Sequence, residues 1–334
     1  MLVYIIKRFL FLILTLLGII TLVFFVSRVI PGDPAIVIAG PKATLEQIEI
    51  IRHEYGFDRP VVVQYAIYMK NLLLHGDLGL SVYARRPVSI EIIERFPATL
   101  ELVVVSMVFA IIFGIILGII TAVWRNQVLD YILRSVTIGG ISLPAFWLGI
   151  LVQLIFFYKL GIFPSTGRIT AVPPPHITGL YLIDSLIVGN FQKFTDALVH
   201  LILPAFTLSL GFLAQIARIT RSSMLEVLHE QYAITARSLG FSENVVIFKY
   251  VLRNALIPII TAIGMYTGLA LGGSVVIESV FAWRGIGEFM YQGVINSDFN
   301  AIVGVTLVFA AGYLIINFII DLLYPVVNPR IKLE

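Results

Sequence analysis

The chain has 334 residues, 59% of them hydrophobic and 13% charged, with no cysteine and a formal net charge of +3. A water-soluble domain carries roughly 25% charged residues, so this composition excludes an ordinary soluble globule. Without cysteine there is no disulfide framework and no thiol chemistry.

A helix needs about 20 apolar residues to cross a bilayer. Six segments are read as spans on that basis: Phe9–Val26, Leu102–Trp124, Val136–Tyr158, Leu201–Ala217, Ala255–Ile277 and Ala301–Ile320, none containing Lys, Arg, Asp or Glu. The fold class expected is all-α: a polytopic membrane protein of six transmembrane helices with an extracytoplasmic helical subdomain between helices 1 and 2. Residues 1–30 hold the first span, 31–98 the subdomain, and 99–334 a core of five spans. The first apolar run is longer than a leader's apolar region and Val26-Ser27-Arg28 offers no small-x-small cleavage pattern, so it reads as a retained span.

With six spans both termini share one side. Placing them in the cytoplasm puts Lys7, Arg8, Arg125, Arg134, Arg218, Arg221, Arg237, Lys249, Arg253, Arg330 and Lys332 there, against Lys159, Arg168, Lys193 and Arg284 in short outer loops. That asymmetry obeys the positive-inside rule. Within 31–98, Thr44-Leu-Glu-Gln47 reads as a capping box and Gly56 as the stop of the helix between. Asp58 is expected to cap a second helix, and a third, Ile90–Phe96, is expected to end at Pro97.

Gly114 and Gly118, and Gly264, Gly268 and Gly272, recur every four residues and predict close helix packing. Pro144 should interrupt the third span, since it removes a donor and frees the carbonyl of Gly140. Irregular backbone at that depth is tolerated against protein or a water-filled cavity, so both a plain kink and a place on a substrate path are open for it. Ser142, Pro144 and Gln153 are the candidate pathway residues. Glu101, Glu278 and Asp321 lie at span ends and read as solvated or interfacial anchors.

The stretch 218–258 is polar and helix-forming between two apolar spans. A helix over Arg218–Leu239 should stop at Gly240 in the left-handed conformation. Ser242 can cap a second helix, with Glu243 complementing its dipole, running until Pro258. Ala233 and Ala236 offer a small-residue surface that could lie in another protein's groove.

These residues resemble the permease subunits of binding-protein-dependent ABC importers, whose cytoplasmic motif has the form Glu-Ala-Ala-x-x-x-Gly. The dipeptide/oligopeptide branch carries a variant close to Thr-Ala-Arg-x-x-Gly, followed later by Arg-Asn-Ala-Leu-x-Pro. Here Thr235-Ala236-Arg237-Ser238-Leu239-Gly240 and Arg253-Asn254-Ala255-Leu256-Ile257-Pro258 match it, with Ile234 where the wider family has Glu. Pro31-Gly-Asp-Pro34, Tyr55-Gly-Phe-Asp-Arg-Pro60, Gly76-Asp-Leu-Gly79, Pro97-Ala-Thr-Leu-Glu-Leu102, Ser142–Trp147 and Asn328-Pro-Arg330 are similar to further blocks of those permeases, so the resemblance covers nearly the whole chain.

The resemblance implies a coupling segment, Tyr232, Ala233, Ile234, Thr235, Ala236, Arg237, Ser238, Leu239 and Gly240, docked on an ATPase. It also implies a second similar permease, two cytoplasmic ATPase subunits that hold ATP and Mg2+, an extracytoplasmic substrate-binding protein, a lipid bilayer and no nucleic acid. The chain itself has no P-loop, no Gly-x-Ser-x-Gly elbow and no histidine pair at helical spacing, so no cofactor, metal or catalytic residue is expected on it. The expected function is that of a peptide importer's permease in a prokaryotic cell membrane. Oligosaccharide or nickel-chelate cargo is the alternative. A self-contained secondary transporter would want a mid-membrane ionisable group, and a membrane enzyme clustered His and carboxylates.

Overall fold

The structure, a computed structural model, describes residues 2–29, 34–39, 43–54 and 56–327. Pro31–Asp33 and Tyr55 from the motif blocks, and Asn328–Arg330 and Lys332 near the C-terminus, lie outside the described residues. The described chain is helical: α1 (Leu2–Val29), α2 (Pro34–Ala39), α3 (Leu45–Glu54), α4 (Val61–His75), α5 (Val88–Val123), α6 (Val128–Ser142), α7 (Ala145–Val152), α8 (Tyr181–Ile187), α9 (Phe191–Leu228), α10 (Gln231–Ser238), α11 (Glu243–Val245), α12 (Arg253–Phe281), α13 (Ile286–Ile295) and α14 (Phe299–Val327). Two π-helical stretches, Gln153–Lys159 and Val246–Leu252, extend α7 and join α11 to α12.

Among the described residues five helices are long and apolar enough to cross a membrane: Ile5–Val26, Val88–Val123, Phe191–Leu228, Glu243–Phe281 and Phe299–Leu322. The third expected span, Val136–Tyr158, is not one helix. Leu143 and Pro144 are extended, with ψ near 133° and 135°, and split it into α6 and α7. Two other prolines do not break their helices. Pro97 lies inside α5, so the short helix expected to end there is instead the first part of a 36-residue helix. That helix also crosses the expected domain boundary at 98/99. Pro258 lies inside α12, just beyond the π-helical stretch. A proline ring removes one donor, a loss that neighbouring helices and local widening of the turn absorb in membrane proteins.

Buried contacts fix the helix directions. The start of α5 (Val88, Ile92) shares a core with Ile286, Phe289 and the start of α14 (Ala301, Val305). The end of α5 (Ala122) shares one with Met224 of α9 and with Ala255 and Ile259 of α12. Helices α5, α9 and α14 therefore run one way and α12 the other. Arg8 meets Asp321 at 3.1 Å, so the start of α1 lies beside the end of α14.

Small residues set the closest approaches. A Cβ on Gly118 would stand 2.4 Å from Thr220 Cβ and 2.8 Å from the Ala217 carbonyl, so α5 and α9 touch backbone to backbone there. Gly114 faces Ile216, and Gly264 and Gly268 face Ile320 and Tyr313 of α14. Gly272, the third in its ladder, has open space before it.

In the 31–98 region the capping box forms as expected. The Thr44 amide donates to Gln47 Oε1 at 3.0 Å and the Gln47 amide to Thr44 Oγ1 at 3.3 Å. Gly56, at φ +68°, ends the turn after α3. Asp58 does not cap α4, whose N-cap is Pro60; it meets His53 Nδ1 at 2.8 Å instead. The region closes onto the bundle through Thr21 and Tyr65, whose hydroxyls lie 2.6 Å apart.

Candidate functional site

The segment between α9 and α12 sits at the end of the bundle where the chain termini lie. The single helix expected over Arg218–Leu239 is two: α9 ends at Leu228, the chain steps through His229 and Glu230, and α10 begins at Gln231. Gly240 follows with φ +78°, the left-handed geometry that a side chain strains, and nothing lies within 4 Å of where its Cβ would be. Backbone rather than crowding selects glycine at this position. Ser242 stands at the N-cap of α11 with extended backbone, though its side chain makes no cap bond.

One arginine ties the three pieces. Arg237 Nη2 donates to Glu243 Oε1 at 2.8 Å and Nε to Oε2 at 3.2 Å, a bidentate pair across the glycine turn. Its Nη1 reaches the Leu228 carbonyl at 3.3 Å, a C-terminal carbonyl of α9. The hydrogen-bonded Glu243 carboxylate raises the Arg237 guanidinium above its already high range, against the opposing effect of burial. Burial, and then Glu230, push the Tyr232 phenol up.

The two alanines point inward. Ala233 and Ala236 are buried in a cluster with Met224, Val246, Ile247 and Val251, so their small size lets α10 lie against its own bundle. The outward surface is formed by Tyr232, Ile234 and Leu239, the last 72% exposed, with Phe241 and Phe248 beyond the turn. Sequence reasoning missed the Arg237–Glu243 pair and the Phe241 edge. The signals were there: opposite charges bracketing a glycine, and apolar residues on either side of it within a polar stretch.

The pathway candidates are placed unevenly. Pro144 is exposed at the break between α6 and α7, and Ser142 ends α6 with its side chain outside the described set. Gln153 is committed elsewhere: its amide nitrogen donates to the Ser165 carbonyl at 2.8 Å and the Val280 carbonyl at 3.2 Å.

At the opposite end of the bundle, two carboxylates expected to be solvated are buried. Glu278 is fully enclosed, accepting from Thr99 Oγ1 at 2.7 Å and from the Glu288 amide at 2.9 Å. A Cβ on Gly285 would come within 2.4 Å of both Glu278 Oε2 and Thr99 Oγ1, so the loop wraps the carboxylate directly. Glu101 accepts from Arg168 at 2.7 Å and the Leu182 amide at 2.8 Å, while Arg168 stacks 3.6 Å over the Tyr181 ring. Asp321 pairs with Arg8 rather than with water alone. Nearby, Asp184 is buried, which pushes its pKa up. Hydrogen bonds from Thr178 Oγ1 and the Thr178, Gly179 and Ile177 amides outweigh that and hold it below the ordinary carboxylate value. Among the described residues no three His, Asp or Glu gather to hold a metal ion.

Comparison with known proteins places this architecture. Residues 1–103 match the N-terminal family of binding-protein-dependent transport system membrane components, and residues 114–333 match the binding-protein-dependent transport system inner membrane component family. The chain is 45% identical to the probable D,D-dipeptide transport system permease protein DdpB of Escherichia coli K12, over 96% of this chain and 94% of that one. It is 41% identical to the dipeptide transport system permease protein DppB of Alkalihalophilus pseudofirmus, over 99% and 100%. It is likewise 41% identical to the glutathione transport system permease protein GsiC of E. coli K12, over 99% of each. Its fold resembles a chain of the MetNI methionine ABC transporter in an inward-facing conformation, with a TM-score of 0.52 and 20% identity, covering 69% of this chain and 93% of the other. A bundle of long apolar helices, built this way and matched along nearly its whole length, belongs to the binding-protein-dependent transport system inner membrane components, the permease subunits of ABC importers.

Proposed function

We propose that this permease carries di- or oligopeptides as one half of a membrane-spanning pair driven by ATPase subunits. The carrying observation is the near full-length similarity to two permeases named for dipeptides. The glutathione permease supports the same class, since glutathione is itself a small peptide. In this reading the second half is a similar permease, an extracytoplasmic binding protein delivers cargo, and ATP and Mg2+ are held by the ATPase pair. Both termini are cytoplasmic, as the Lys/Arg asymmetry favours, and residues 31–98 face outside.

The segment Tyr232–Gly240 is assigned to the ATPase contact. Its outward residues Tyr232, Ile234 and Leu239, continued by Phe241, supply an apolar edge for a partner's cleft. Ala233, Ala236 and Arg237 hold that edge to the bundle, so motion of the partner is passed to α9 and α12. The break at Ser142–Pro144 is assigned to the wall of the cargo passage, with Gln153 keeping it in place through its two backbone contacts.

The test is uptake and ATP hydrolysis by the complete complex in proteoliposomes, wild type against Leu239→Glu and Gly240→Pro. Both should abolish peptide-stimulated hydrolysis and uptake together while the permease pair still assembles. Unchanged uptake in Leu239→Glu removes the ATPase contact from this edge. Peptide uptake by the permease without any ATPase partner removes the importer reading altogether.

A further inference from the structure

Between α5, α6 and α9, at the end of the bundle shared with the termini, lies a cavity of about 540 Å³. Arg134, Arg218 and Arg221 line it together with apolar Leu117, Ala214 and Leu225. Among the described residues one acid, Asp130, stands beside two of these three cations. Asp130, fully buried, accepts from Arg221 Nη2 at 3.1 Å and Nε at 3.3 Å, and from the Asn126 amide at 3.1 Å. Arg134 stands farther off: its Nε is 3.8 Å from Asp130, buried, and donates no hydrogen bond among the described residues. Arg218 meets only the neutral Gln215 amide oxygen. The cavity therefore carries a surplus of two positive charges among the described residues, with the Arg134 Nε–H unmatched and Arg218 paired only to a neutral oxygen.

The Arg134 side chain is part-exposed and lies 5.3 Å over the Tyr131 ring, but its Nε–H is buried without an acceptor, which is costly. The group that best completes such a pair of arginines is an anion with several oxygens in a tetrahedral array. The walls ask for more than a free anion. Leu117, Ala214 and Leu225 give the cavity an apolar side, and Tyr131 and Ile132, on the same helix as Arg134, are exposed. A molecule with a phosphate at one end and hydrocarbon at the other satisfies both. Basic pockets between membrane helices are where such headgroups settle.

We propose that this cavity binds the phosphate headgroup of an anionic phospholipid, with Arg134 and Arg218 as its principal donors and Asp130 setting the charge balance by neutralising Arg221. Its occupant bridges α6 to α9, two turns from the Leu228 carbonyl that Arg237 grips. The site stands independently of the cargo and of the ATPase contact.

The experiment is native mass spectrometry of the full chain in neutral detergent, titrated with phosphatidylglycerol or, as a control, phosphatidylcholine. Wild type should retain phosphatidylglycerol selectively. Arg134→Gln and Arg218→Gln should each lower that retention about five- to tenfold, the worth of one charge-assisted contact. Lys7→Gln, on an exposed lysine at the same end, should leave it unchanged. Asp130→Asn should raise it, a direction that a damaged fold does not produce. Where Arg134→Gln fails to fold, Arg134→Lys should keep the selectivity at reduced strength. Equal retention by wild type and both arginine variants overturns the proposal. So does complete displacement of the lipid by millimolar inorganic phosphate or by an acidic dipeptide, which would make the cavity a site for soluble anions.

Discussion

Replacing Glu278 tests the buried knot at the end of the bundle away from the termini. Its two carboxylate oxygens take donors from segments far apart in sequence, Thr99 on α5 and the Glu288 amide on α13. Glu278→Ala strands both donors in a fully buried region, at about 1–3 kcal/mol each, so roughly 2–6 kcal/mol before any cavity term. Glu278→Gln keeps one acceptor oxygen and the volume, and should cost about half as much. Thr99→Val removes the same contact from the other side and also strands the Ile286 amide, which donates to Thr99 Oγ1 at 2.9 Å. In a double-mutant cycle Thr99→Val and Glu278→Gln should couple by about 1–3 kcal/mol, since each cancels part of the other's loss. The assay is equilibrium unfolding of the detergent-solubilised chain, read by circular dichroism and by protection of Trp283, whose indole donates to the Ala98 carbonyl beside the knot. A cost below about 1 kcal/mol for Glu278→Ala, or additive single-site effects, would refute the claim that this carboxylate organises the contact of α5 with α13.

Three further outcomes follow from the geometry. Gly118→Val drives a side chain into Thr220 and the Ala217 backbone, where backbone cannot yield; it should cost about 1–3 kcal/mol or more and lower the thermal midpoint in detergent, while Gly272→Ala should be nearly neutral. Asp184 has a folded-state pKa below its unfolded value of about 3.9, so its contribution is present above that pH and is lost as pH falls through the depressed value. The protection of amides 177–184, taken relative to the intrinsic exchange rate at each pH, should therefore fall below about pH 4 in wild type, and Asp184→Asn should show reduced protection already at neutral pH. Arg237→Ala should change stability by no more than about 1 kcal/mol, because the Glu243 pair is largely solvent-exposed. If Arg237 positions the outward edge, peptide-stimulated ATP hydrolysis in the assembled complex should still fall severalfold.

The long spans were legible because hydrophobic length is a local property, and the left-handed turn at Gly240 because glycine between two capped helices has few other uses. The break at Pro144 is as expected, whereas Pro97 and Pro258 do not end the helices they were expected to end. Pro144 splits its span in two at an extended Leu143–Pro144 pair, while Pro97 and Pro258 sit inside continuous helices, so a proline alone does not fix a helix end. Glu278 and Glu101 looked like surface anchors because their partners, Thr99 and Arg168, are distant in sequence and one of them sits in a loop. The facing of α10 is the reverse of the foreign-groove surface expected from Ala233 and Ala236, because a small-residue stripe fits the protein's own helices as well, and here Met224 and Val251 cover it.

Helix α1 rests on α14, with Arg8 against Asp321 and the Phe9 and Phe318 rings 6.4 Å apart. During synthesis α1 is thus made well before the neighbour it rests on. Until α14 is made, α1 must be held by lipid and by the Thr21–Tyr65 contact to α4. A chain that stops before Phe299 would insert its early helices normally and still leave the first one without its principal mooring.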